Sequence, residues 1–171
     1  MAAAPIFVVQ RHDATALHYD VRLQVPGPDG DVLASWAVPK GPSLDPRVKR
    51  LAKQVGDHDL AHATFEGRTP GTGGRGTVVV WDTGTLENLT TKGGVAVPLD
   101  EAIAAGHLKV RLVGHKLSGA FALTRTSMGG DPRAWILVKI DDEGADRRRT
   151  PERTELASVL SGKRNEDFEQ E

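Results

Sequence analysis

The 171-residue chain has no cysteine. That excludes a disulfide framework, a thiolate zinc site and a cysteine nucleophile. It has no long apolar run either, and nothing approaches the roughly 18 consecutive apolar residues of a membrane span. The N-terminus, "MAAAPIFVVQ", lacks the basic flank and extended apolar centre of a secretory signal. These absences suit a cytoplasmic protein without membrane contact. A large excess of one charge is also missing, since the formal net charge is −1. The distribution is less even: residues 1–140 hold 16 Lys and Arg against 13 Asp and Glu, and residues 141–171 hold 6 against 10. A mildly basic body with an acidic tail permits an anionic partner on one face of the body. There is no internal repeat, and the length fits one domain with a real core.

What is present is β-like. Seven segments alternate or carry β-branched residues: "IFVVQR", "LHYDVRLQV", "VLASWAV", "GTVVVWD", "HLKVRLV", "GAFALTRT" and "AWILVKI". Turn signals separate them, at Pro26–Asp31, Gly67–Gly76 and Thr126–Pro132. Two short helices are expected. One is "DPRVKRLAKQ", with Asp45 as cap and Pro46 in the first turn; the other is "PLDEAIAAG", ending on Gly106. About seven to eight strands with short peripheral helices predict an all-β fold, a compact barrel or sandwich, over residues 1–140. Residues 141–171 read as a charged, flexible tail with a short helix near Glu155–Leu160. The glycine-rich "GTGGRG" at Gly71–Gly76 lacks the Gly-Lys-Ser/Thr ending of a phosphate loop and reads as a hairpin loop.

The chemistry concentrates in "RHDATALHYDVRL", Arg11–Leu23. On a strand, residues two apart share a face. His18, Asp20 and Arg22 therefore point one way, and Tyr19, Val21 and Leu23 point to the core. The plain alternative is a solvated strand face. Three features favour a metal site instead. His18 and Asp20 are spaced to reach one ion, His12 lies close enough to fold back beside them, and Arg22 suits a phosphate bound next to the ion. Two histidines and a carboxylate fit Mn²⁺, Zn²⁺ or Fe²⁺. Further candidates are His58, flanked by Asp57 and Asp59, and His62. Lys40 follows Pro39 in a turn and is either solvent-exposed or a phosphate donor. Arg50 falls on the first expected helix.

Taken together, "FVVQRHDATALHYDVRL", "SWAVPKGPS", "KRLAKQVGDHDLAHATFEG", "VVVWDTGT", "HKLSGAFALTR" and "WILVKIDD" resemble the 3′-phosphoesterase domain of bacterial DNA ligase D and its stand-alone relatives. The resemblance implies a β-barrel enzyme of end-joining repair that uses a divalent metal, best Mn²⁺. Such an enzyme removes 3′-terminal ribonucleotides and 3′-phosphates from primer-template ends to leave 3′-hydroxyls. It implies His12, His18 and Asp20 as metal ligands, Arg22 and His58 on the scissile phosphate, and supporting roles for Gln10, Lys40 and Arg50. The implied partners are DNA or RNA-containing 3′ ends, with a DNA ligase or polymerase of end joining. Two positions depart from the pattern: Gly56 stands where the family usually has Glu, and His62 where it often has Tyr. The family's N-terminal arm is almost absent, and "ASVLSGKRNEDF" resembles an inter-domain joint. Two other readings remain open at this point: a non-haem iron oxygenase built on His18, Asp20 and His58, and a non-catalytic nucleic-acid or ligase-docking barrel.

Overall fold

The structure is a computed structural model that describes residues 3–69 and 76–169. Among the described residues eleven strands form: β1 (Ile6–Asp13), β2 (Leu17–Val25), β3 (Val32–Val38), β4 (Lys49–His58), β5 (Gly67–Thr69), β6 (Gly76–Asn88), β7 (Thr91–Lys92), β8 (Val95–Ala96), β9 (His107–Gly114), β10 (Ser118–Arg125) and β11 (Ala134–Lys139). The main sheet runs β1-β2-β3-β4-β11-β10-β9-β6, and β6 pairs back onto β1, so these strands close an antiparallel ring. Closure removes free sheet edges. β5 continues the ladder along β6, and β7 with β8 makes a small separate hairpin.

Alternation fills the barrel from within. Phe7 and Val9 of β1, Tyr19, Val21 and Leu23 of β2, Trp36 of β3, Trp81 of β6 and Trp135 of β11 belong to one buried cluster. The indoles of Trp36 and Trp135 meet edge-on at 5.5 Å, and Tyr19 meets Trp81 edge-on at 5.4 Å. Such pairs contribute about 0.5–1.5 kcal/mol each beyond their buried area. A second, smaller cluster lies on the opposite face of β1, β3 and β6. Val8, Leu33 and Val80 are buried there under Ala63 of the turn Leu60–Thr64, with Val159 beside them. The sheet is thus covered on both faces where these strands meet.

All seven expected strands form, two of them with the expected bounds and the others with shifted ends. The helix α1 (Leu99–Ala105) also forms, and Gly106 caps it at φ 92°, a left-handed conformation that favours glycine. The other expected helix does not exist. "DPRVKRLAKQ" instead enters β4, which pairs with β3 on one side and β11 on the other. The physical reason is closure: the ring needs a strand at this place, and two ladders of backbone hydrogen bonds outweigh a local helix preference. Asp45 accepts the Arg47 N–H at 2.9 Å in a turn rather than capping a helix.

The tail differs from expectation as well. Residues 141–169 lie against the barrel. Two short helices occur there, α2 (Pro151–Thr154) and α3 (Asn165–Glu169), and Glu155–Leu160 is not helical. The Glu155 carbonyl instead accepts from Trp81 Nε1 at 2.8 Å, and Val159 N–H donates to Val80 O at 2.9 Å. Asn165 is fully buried and donates to Arg11 O and Thr77 O. Barrel atoms satisfy these backbone and amide groups, so the segment gains more docked than solvated. Residues 71–75 of the glycine-rich stretch lie outside the described residues. Among the described residues no helix is long and apolar enough to cross a membrane.

Candidate metal centre

Strands β1 and β2 pair so that His12 stands opposite His18 and Gln10 opposite Asp20. All four side chains point away from the barrel interior, with Arg22 next along β2. Asp20 Oδ2 is the hub. It lies 3.5 Å from His12 Nδ1, 3.4 Å from His18 Nε2 and 3.4 Å from Arg22 Nη2. His12, His18 and Asp20 each offer a ligand atom within 4.8 Å of the others, and the two imidazoles are 4.8 Å apart at 56°. His18 Nδ1 sits 3.0 Å from the carbonyl of Ala16. A carbonyl only accepts, so Nδ1 carries the proton and Nε2 is turned toward Asp20. Metal-bound histidines are commonly fixed in this way. Gly76 closes the neighbourhood: a Cβ there would come within 3.6 Å of His12 Nε2 and collide with Thr69.

Burial sets the electrostatics. Asp20 is 5% exposed. Desolvation alone would raise its carboxyl pKa. Hydrogen bonds from His12 and His18, with the charge of Arg22, override that and hold it far below the ordinary carboxylate range. The hydrogen bond to Asp20 raises His18, against an opposing push from burial. Without an ion, the Arg22 guanidinium is the fixed positive charge beside the carboxylate. Two nitrogens and one carboxylate oxygen of this kind suit a first-row divalent ion.

Arg22 is also buried, at 4% exposure. Desolvation lowers its pKa, and Asp20 opposes the effect. Its Nε donates to Gln10 Oε1 at 2.6 Å, and its Nη1 donates to Ser35 Oγ at 2.9 Å. Gln10 is itself anchored, donating from Nε2 to His62 O at 2.8 Å and Phe65 O at 3.2 Å. Nη1 also lies 3.0 Å from His58 Nδ1, a nitrogen that sits 3.1 Å from Gly56 O. These two contacts require opposite protonation of the same atom: a bare nitrogen accepts from Arg22, and a protonated one donates to Gly56. In either state His58 Nε2 has no hydrogen-bond partner among the described residues. A register shift delivers His58 to this place. β3 and β4 slip between Leu33 and Ser35, leaving two residues of β4 between the partners Val55 and His58. Bulges of this kind re-aim side chains. The His62 imidazole is 4.7 Å from His58 and stacks on Phe65 at 5.5 Å. Burial, Arg22 and His58 together lower its pKa, which favours a neutral ring.

The structure therefore brings together His12, His18, Asp20, Arg22, Gln10, His58 and His62. It does not bring Lys40 and Arg50 to the same face. Both line a separate pocket at the end of the barrel, with Arg11 and Tyr19. Ser35 is a site residue that sequence reasoning missed. Its signal was a lone hydroxyl among the apolar residues of "VLASWAV", alternate to the core residue Trp36. Gly56 faces open space, with nothing within 4 Å of a Cβ placed there, so the family's glutamate would meet no clash.

The profile of the DNA Ligase D 3′-phosphoesterase domain matches residues 10–125, a span that contains the whole cluster. The chain belongs to that family. A multifunctional non-homologous end joining protein LigD of Pseudomonas aeruginosa is 49% identical over 140 residues. The match covers 80% of this chain and 15% of that protein. A multifunctional non-homologous end joining DNA repair protein LigD of Mycobacterium tuberculosis is 42% identical over 138 residues, covering 80% and 16%. A LigD protein of Mycolicibacterium smegmatis is 37% identical over 139 residues, covering 80% and 17%. The chain thus corresponds to a small part of each curated relative it matches. In this chain the metal-type cluster and its arginine occupy the outer surface of β1 and β2, with the turn Leu60–Thr64 and the following loop as one wall.

Proposed function

We propose that this chain is a divalent-metal-dependent hydrolase that processes 3′ ends in end-joining repair, removing terminal ribonucleotides and phosphates from primer-template ends. One observation carries the reading: two histidines and a carboxylate converge within 4.8 Å, with a buried, fully anchored arginine beside them. His12, His18 and Asp20 would hold the ion, which supplies Lewis acidity and lowers the pKa of a bound water. Mn²⁺ is the metal the resemblance implies. Arg22 binds phosphoryl oxygens, kept in place by Gln10 and Ser35, and meets the charge that develops on them. His58 Nε2 either donates to a phosphoryl oxygen or gives its proton to the leaving oxygen. The neutral His62 imidazole supplies a second hydrogen-bonding group where the family often has tyrosine. The Ser35 hydroxyl donates to Leu33 O and accepts from Arg22. With that hydroxyl engaged and no cysteine in the chain, water is the attacking group rather than a covalent nucleophile. Lys40 and Arg50 support substrate binding from their separate pocket.

The oxygenase reading needs His58 beside His18 and Asp20. The triad-type cluster among the described residues uses His12 instead, and Arg22 holds His58. The intact ligand set and its anchored arginine favour catalysis over a docking-only barrel. The partners proposed are DNA or RNA-containing 3′ ends and, from the names of the relatives, the ligase and polymerase of end joining. The test is incubation with Mn²⁺ and primer-templates that end in one 3′ ribonucleotide or in a 3′-phosphate. Metal-dependent release that is lost in His12→Ala and Asp20→Ala is expected. Release without metal, or release by both variants at the rate of the unmodified chain, would overturn the reading.

A further inference from the structure

The pocket at the end of the barrel is built on the opposite faces of the strands that carry the metal cluster. Arg11 precedes His12 and Leu17 precedes His18, and both line this pocket while the histidines face outward. Lys40 and Arg50 contribute from the barrel, and α2 brings Glu152 and Arg153 across the mouth. Four cations therefore surround one carboxylate, in a chain whose formal net charge is −1.

The cations differ in how they are held. Arg50 Nη2 pairs with Glu152 Oε2 at 3.0 Å, and the two side chains are 11% and 2% exposed. Arg50 Nε and Glu152 Oε1 are buried without a hydrogen-bond partner. Arg11 is fixed by Asn165 Oδ1 at 2.8 Å and by Tyr19 at 3.2 Å. The side chains of Lys40 and Arg153 are exposed and have no ion-pair or hydrogen-bond partner among the described residues. A cavity of about 450 Å³ lies among them. That is roomy enough for a nucleotide unit, since ligand pockets commonly measure about 300–1,000 Å³.

We propose that this pocket is a second anion site that holds internucleotide phosphates of the substrate strand, with Arg153 of the docked tail and Lys40 as its free donors. The substrate's 3′ end sits on the outer face, and the strand crosses the rim formed by Ala14–Ala16 to reach the pocket. Arg50, already neutralised by Glu152, shapes the pocket, while Lys40 and Arg153 meet the phosphates. Contacts of this type fix register without reading sequence. The tail thereby becomes part of the substrate surface rather than a passive joint. The inference rests on the 3′-end reading above.

The experiment compares Arg153→Ala, Arg153→Glu and Lys40→Ala with the unmodified chain. The probes are a primer-template DNA with a 3′-phosphate and a dinucleotide with the same end, too short to cross the rim. Arg153 is exposed, so its variants keep the fold, and circular dichroism checks this. Loss of one phosphate contact is expected to weaken binding of the long probe about threefold to tenfold and to reduce the log–log salt slope by roughly 0.7–0.9. Arg153→Glu weakens it further. The ratio of kcat/KM for the long probe to that for the dinucleotide falls in each variant. An unchanged affinity, salt slope and ratio in Arg153→Glu would overturn the pocket. Displacement of the long probe by low-millimolar inorganic phosphate, with no dependence on strand length, would show a site for free anions and overturn the strand assignment. Failure of the metal reading shows separately, as retained turnover in His12→Ala while the binding results stand unaltered.

Discussion

The two faces of β2 obey the same alternation and end in opposite roles. Tyr19, Val21 and Leu23 enter an apolar interior where packing alone sets their contribution. His18, Asp20 and Arg22 face outward, yet Asp20 and Arg22 are about as well buried as their inward neighbours. The turn above the site and the walls around it exclude water from a face that would ordinarily be solvated. A buried polar group is costly unless bonded, and nearly every donor here has a partner. The lesson is that an outer barrel face becomes a reactive site when it is covered enough to strengthen charge interactions and left open enough to admit a substrate.

The comparison breaks most visibly on the inner face. Trp36→Ala should cost about 3–5 kcal/mol of stability, the usual range for emptying a large aromatic site. Metal affinity of the fraction that stays folded should be near normal. Thermal melting and a Mn²⁺ titration on the same sample check this, and a selective loss of metal binding would contradict the division between faces.

On the outer face, Arg22→Ala should reduce turnover about 10²–10³-fold, equivalent to roughly 3–4 kcal/mol of transition-state stabilisation. It should also lower the melting temperature, because Gln10 and Ser35 lose a buried partner. Arg22→Lys should recover only part of the rate, since an ammonium cannot serve Gln10, Ser35 and Asp20 from fixed directions. Near-normal turnover in Arg22→Ala at saturating metal would assign the arginine a purely structural role.

Removal of residues 147–171 tests whether the tail is separable. The sequence predicts a flexible segment that catalysis can spare. The docked Glu152, Asn165 and Phe168 instead predict a loss of at least about 2 kcal/mol, since Arg50 and Arg11 would lose the partners that the tail supplies. An unchanged melting temperature with unchanged turnover would restore the sequence expectation.

The smallest effect expected is with pH, and here metal-free stability and metal affinity move in opposite directions. His18 is raised above its ordinary value near 6.5. Its contribution to metal-free stability is complete below that value and is lost as pH rises through the raised folded pKa. Asp20 is depressed. Its contribution is present above the unfolded value of about 3.9 and is lost only as pH falls well below it. Mn²⁺ competes with the His18 proton, so metal affinity should rise over the same interval, upward from about 6.5, in which metal-free stability falls. Melting scans with chelator and titrations with Mn²⁺ give both slopes, and parallel slopes would mean that His18 is not a ligand.

The sequence by itself determined the strands, because alternation along "LHYDVRLQV" and "VLASWAV" is a local property. It also determined the candidate ligands, since His12, His18 and Asp20 lie within nine residues on two strands joined by a tight turn. It pointed equally to the family, through ordered blocks that run along most of the chain. Tertiary structure alone decided the rest. "KRLAKQ" is a strand because the ring had a place to fill between β3 and β11, a demand that no local preference expresses. Arg22 is buried and His58 reaches it because distant segments cover one face and a slip in the β3–β4 ladder redirects another. Lys40, in the turn after β3, and Arg50, at the start of β4, leave the metal for the barrel's end because closure fixed where β3 ends and β4 begins. The tail docks through single buried groups such as Glu152 and Asn165, whose partners lie 102 and 154 residues away along the chain. Pairings at that separation leave no periodicity in the sequence, and only the folded barrel brings their two halves together.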